Sequence, residues 1–140
     1  MVQQLKIGGK VRPISFGWEV AYDYEFHTGK HYIDTVMSII EETTAVAIAS
    51  GEESVLAAAR HISVVKITDI VYYGLLHAHK HQREEFPYSV YDVAQWLFTD
   101  HEVRGQCLLA IAESMPKATP DGESADTKKK PGSRPGSTGK

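Results

Sequence analysis

Apolar residues recur most regularly between Ser63 and His81, where Ile67, Ile70, Val71, Gly74, Leu75 and Ala78 fall at steps of three and four. That spacing predicts a helix with one apolar stripe. Gly74 within the stripe is poor for helix propensity, by about 1 kcal/mol against alanine, so its place there points to close packing by another element. Upstream, Leu5 to Phe16 reads as a β-hairpin turned at Gly8-Gly9. A two-residue loop would set Arg12 opposite Leu5 and mix the faces. A three-residue loop, Gly8-Gly9-Lys10, groups Leu5, Ile7 and Val11 against the body and is preferred by the period-two rule. Pro13 lacks a backbone donor and marks an edge.

Between and after these segments the pattern is again helical. Trp18, Ala21, Tyr22 and Phe26 share one side of a helix predicted from Gly17 to Thr28, with Gly29 as its stop. Ile33, Val36, Met37, Ile40, Thr44 and Ala47 predict a second helix over Tyr32 to Ser50, although the β-branched residues of Thr43 to Ile48 would also suit a strand. Gly51 breaks it, and the alanine-rich stretch Glu52 to His61 predicts a short helix. Ser89, with Asp92 three residues on, caps a helix through Phe98. Thr99 and Glu102 repeat that signal for a last helix carrying Val103, Cys107, Ala110, Ile111 and Met115, with Pro116 beyond it. The predicted core is Ile70, Val71, Leu75, Val93, Leu97 and Ile111. The fold class is mainly α: a small helical domain over residues 1–116 with an N-terminal β-hairpin, and a basic tail over 117–140 expected to be disordered because it has almost nothing apolar to bury.

Charge sharpens this division. Residues 117–140 carry six basic against three acidic side chains, which leaves −6 on the rest of a chain whose net charge is −3. An acidic body is a poor surface for nucleic acid, which needs a focused positive field. The one cysteine, Cys107, allows no intramolecular disulfide and fits a reducing compartment. The N-terminus lacks the basic start and apolar run of a signal peptide. The longest apolar run, Ile70 to Leu76, is too short to span a bilayer.

Candidate chemistry is sparse. His77 and His81 in His77-Ala78-His79-Lys80-His81 could face one metal from one helical turn, but no cysteine or carboxylate at ligand spacing completes a set. A polar helix end, with cationic histidine near the C-terminal dipole, accounts for the cluster better. Cys107 and His101 lie on poorly matched helix faces, and Asp23 and Glu25 diverge, so neither makes a catalytic pair. Gly8-Gly9 is a turn and not a phosphate loop. No catalytic, cofactor or metal site is expected, and the chain reads as non-enzymatic. Trp18, Tyr22, Tyr72, Tyr73, Tyr88, Tyr91 and Trp96 are placed mainly in the core by their helical spacing. Tyr72 and Tyr73 are adjacent, so one should point outward; that residue and Tyr91 are the partner-binding candidates.

The order of segments carries a resemblance. Ile7-Gly8-Gly9-Lys10-Val11-Arg12-Pro13, Phe16-Gly17, and Phe26 before Thr28-Gly29 are followed by Asp69-Ile70-Val71-Tyr72-Tyr73-Gly74-Leu75-Leu76, then Tyr88 through Leu97, then Ala112-Glu113-Ser114-Met115-Pro116. Over most of residues 3–116 this resembles the tail assembly chaperones of long-tailed phages, with Lys30 to Ile62 longer than the corresponding linker. The resemblance implies synthesis in the host cytoplasm, binding and shielding of the tape measure protein, and absence from the mature virion. It also raises contacts with the tail tube protein and with further copies of the chain. It brings no catalytic residues. The alternative is a structural virion component, a head–tail connector or minor tail protein.

Overall fold

A computed structural model describes residues 2–51, 53–54 and 57–115, with the side chain of Ala59 undescribed; the expected disorder of the tail, and its position, lie outside those residues. The described chain is a helical bundle fronted by one hairpin, as the pattern predicts. Strands β1 (Gln3–Ile7) and β2 (Lys10–Ile14) pair antiparallel, followed by α1 (Trp18–Thr28), α2 (Tyr32–Ser50), a short 3-10 helix (Ala57–His61), α3 (Val64–His81), α4 (Val90–Thr99) and α5 (His101–Ser114).

Helix α3 is the hub, touching β2, α1, α2, α4 and α5. Its whole predicted stripe is buried, Gly74 included, together with Thr68 and His79. Gly74 has the packing role its position implied. A Cβ there would come within 2.6 Å of the Phe16 ring and 3.1 Å of Ile14. The Gly74 carbonyl accepts from the Ser15 amide at 3.2 Å, so the strand exit lies directly on the helix. Val93, Leu97 and Ile111 close the core from α4 and α5, with Val36 and Ile39 from α2.

The hairpin corrects the predicted register. Ile7 pairs with Lys10 and Leu5 with Arg12, so the loop is the two residues Gly8 and Gly9. Both have left-handed φ, 67° and 87°, which suits the twist of a two-residue loop. Val11 therefore turns outward, 64% exposed, and Arg12 turns in. The face-mixing cost is removed because the Arg12 guanidinium stacks over the rings of Tyr88 (4.7 Å) and Trp96 (4.5 Å) and its Nε donates to the Ile7 carbonyl at 2.8 Å.

Other boundaries also shift. Helix α2 continues through Thr43 to Ile48 because the Thr43 hydroxyl donates to the Ile39 carbonyl, 2.8 Å away, inside the helix. Its buried line is Tyr32, Val36, Ile39, Thr43 and Ala47, leaving Ile33, Met37 and Thr44 outside. Among the described residues of the alanine-rich stretch, Ala57–His61 is helical, in the 3-10 form. The Ser89–Asp92 capping box is present. The next helix is capped by Asp100 instead of Thr99: Asp100 accepts from the amides of Glu102 and Val103, while the Thr99 hydroxyl donates back to Gln95.

Helix α3 ends in a left-handed turn. Arg83 adopts φ 59°, the Glu84 amide donates to His79 and the Arg83 amide to Lys80. This is the position where glycine is usual, because a side chain is strained there. Arg83→Gly is expected to raise the urea midpoint, stabilising the fold by about 0.5–1 kcal/mol.

Candidate partner-binding surface

Helix α1 is rotated relative to the sequence expectation. Its buried side chains are Val20 and Tyr24, while Trp18, Tyr22 and Phe26 are 76%, 61% and 71% exposed. The cause lies on the side of α1 that meets α3. Glu19 pairs with His81 at 2.8 Å, Asp23 with His77 at 2.6 Å, and the His27 ring stacks on Tyr73 at 5.7 Å. Steps of four on α1 meet steps of four on α3 running the other way, and both helices use neighbouring rows of side chains for one seam. Once Glu19, Asp23 and His27 face α3, geometry turns the Trp18–Tyr22–Phe26 row to solvent.

The histidine cluster is thereby divided among three tasks. His77 and His81 are each taken by a carboxylate of α1. His79 is buried: its Nδ1 donates to the Leu75 carbonyl at 2.7 Å, and its ring lies against Phe86. Among the described residues, no group of three or more His, Cys, Asp or Glu side chains could hold a metal ion. Matched four-residue spacing, Glu19-Asp23-His27 against Tyr73-His77-His81, was the available signal for this seam.

Tyr22 and Phe26 of the exposed row form one end of a continuous band of rings. Tyr22 stacks on Phe26 and Phe26 meets His27 edge-on. From His27 the band passes through Tyr73, Tyr72, Phe86, Tyr88 and Trp96, where Arg12 closes it. Tyr72 and Tyr73 are both half-buried links in this band, so the expectation that one of the two projects outward is corrected: each has ring neighbours on either side. Burial pushes the Tyr73 hydroxyl above its ordinary range, and the charges of Asp69 and Asp23, with Tyr72 alongside, add to the rise. Tyr91 is 84% exposed on α4 and, among the described residues, stands outside the band. Of Tyr72, Tyr73 and Tyr91, Tyr91 alone offers most of its surface, whereas Trp18, Tyr22 and Phe26, which spacing places in the core, are exposed.

A second apolar area is a shallow groove between α3 and α4, formed by Ile62, Val64, Val65, Ala94 and Phe98 with Arg60 and Arg104 at its edge. Arg104 is buried and donates to the carbonyls of Leu97 (2.7 Å) and Arg60 (3.1 Å), so it ties the end of α4 to the 3-10 helix.

The other reactive side chains are not assembled. Cys107 is fully buried while His101 is exposed. Asp23 turns to His77, and Glu25 accepts from the Tyr32 amide at 2.9 Å. Burial pushes the Cys107 thiol up to about 12 from an ordinary value of 9.0. The thiol is thus the form the fold favours. The stability this contributes is whole below about pH 9 and is lost as pH rises towards 12. At pH 8 the thiolate is a fraction on the order of 1 in 10⁴. A disulfide reagent should therefore label native protein at least a hundredfold more slowly than urea-unfolded protein, roughly the ratio of thiolate fractions less any local opening. Equal rates would contradict the burial.

Among the described residues, no helix is long and apolar enough to cross a membrane. No family model, curated protein or solved structure matches the chain.

Proposed function

We propose that the chain is a tail assembly chaperone of a long-tailed phage, which binds and shields the tape measure protein in the host cytoplasm and leaves before the virion is complete. The observation that carries the reading is the aromatic row of α1, held in solvent at every fourth residue while Glu19, Asp23 and His27 meet α3 and Val20 and Tyr24 enter the core. A long helical partner with apolar stripes aggregates when free. A small acidic domain offering an apolar row, and needing no bond-making chemistry, suits such a partner. The order of hairpin, glycine-stopped helix and capped helices along the sequence supports the same reading.

Mass spectrometry across assembly tests it. The chain should be abundant and bound to the tape measure protein in lysates that are assembling tails, and missing from purified particles. Recovery at a fixed stoichiometry in mature particles would replace the reading with a structural virion component.

A further inference from the structure

Helix α1 contains Glu19, Asp23 and Glu25, with no lysine or arginine. At about 100° of turn per residue, Glu25 borders the Trp18–Tyr22–Phe26 row on one side and Glu19, then Asp23, on the other. The exposed face is therefore apolar along its centre, with exposed Glu25 along one edge and, along the other, the part-exposed Glu19 and Asp23 that the seam pairs with His81 and His77. An aromatic side chain buries about 150–250 Å², so the three rings at their present exposure offer roughly 400 Å². The row spans about 12 Å of helix axis, which is two turns of a helix laid across it.

We infer that this face docks an amphipathic helix of another protein whose apolar stripe is bordered by lysine or arginine. Cations on that helix would meet Glu25, the part-exposed edge of Glu19 and the faces of the rings, while aliphatic side chains fill the row. The inference rests on the chaperone reading for the partner's identity and on α1 for its chemistry.

Other occupants fit less well. A second copy would set one acidic face against another. The area on offer is also about half of the ~800 Å² per partner that a stable dimer needs. The chain's own residues 117–140 contain no aromatic or large aliphatic side chain to enter the row. Nucleic acid would bring phosphates to carboxylate edges.

The test uses the full chain with Trp96→Phe, which leaves Trp18 as its one tryptophan. The probes are two synthetic amphipathic helices of about 18 residues, alike in their leucine stripe, one bordered by lysine and the other by glutamate. The lysine peptide should shift Trp18 emission to shorter wavelength and bind about tenfold or more tighter than the glutamate peptide, with the difference shrinking as salt rises. Tyr22→Ser with Phe26→Ser should weaken binding at least about tenfold without lowering the thermal midpoint. Phe98→Ser, in the separate groove, should leave binding unchanged. Equal binding of the two peptides, or loss with Phe98→Ser but not with the α1 pair, would overturn the inference. So would a dimer in sedimentation that the α1 pair abolishes, or an oligonucleotide that competes for Trp18.

Co-expression with the tape measure protein separates the two claims. If the wild type and the α1 pair solubilise it equally, the docking face is wrong and the chaperone reading stands. If neither solubilises it while the lysine peptide still binds at Trp18, the docking chemistry stands and the chaperone reading falls.

Discussion

Leu75→Ala is expected to lower unfolding free energy by about 2–5 kcal/mol. Leu75 is completely buried on the helix that touches every other α-helix and β2. Removing its branched end costs the transfer of the lost carbons and leaves a cavity that surrounding groups fill only in part. Neighbouring Ile14 and Phe16 are held against the same helix by the Gly74 contact and the Ser15 hydrogen bond, so the site has little freedom to collapse. Urea unfolding should show a lower midpoint with an unchanged slope. Val65→Ala, at an exposed position of the same helix, should stay within about 0.5 kcal/mol of wild type. Similar effects at the two positions would contradict the packing described for α3.

Gly8→Ala should cost about 2–4 kcal/mol, against about 1–2 for Gly9→Ala. Both residues have φ in the left-handed region, 67° and 87°, so both substitutions carry backbone strain. They differ in what a Cβ would meet. At Gly8 it would lie 2.5 Å from the Trp96 indole, whereas at Gly9 nothing lies within 4 Å. The excess at Gly8 is therefore the displacement of Trp96, and with it the stack on Arg12 and Tyr88. Trp96→Leu should narrow the gap between the two glycine variants, because the smaller side chain removes the clash. A gap of the same size in that background would show that the indole is not its source.

Much of the fold was legible because single residues had single jobs. The α3 stripe, the glycine stops at Gly29 and Gly51, and the Ser89–Asp92 box each follow from local spacing or backbone preference. The errors share a cause. Arg12 was weighed as a polar residue that belongs outside, but its guanidinium is paired with two rings contributed by a distant segment. Trp18, Tyr22 and Phe26 were weighed as apolar residues that belong inside, but the side of α1 facing α3 is claimed by Glu19, Asp23 and His27. In both cases a cation, a carboxylate or a ring found its partner more than forty residues away in sequence, and periodicity scores each side chain without its partner. The exposure of the candidate aromatics has the same origin. Tyr72 and Tyr73 are links inside the ring band, Tyr91 is exposed, and the exposed aromatic row lies on the face of α1 that spacing turns inward.

We propose that this chain keeps a tape measure protein soluble, and co-expression of the two measures that proposal most directly. The soluble fraction of the tape measure protein should rise severalfold with this chain present, and the two should elute together from a size-exclusion column at moderate salt, since apolar contacts outlast the screening of exposed charges. Many weak contacts along one long partner should give a complex holding several copies of the chain. No gain in soluble tape measure protein and no shared elution would contradict the account.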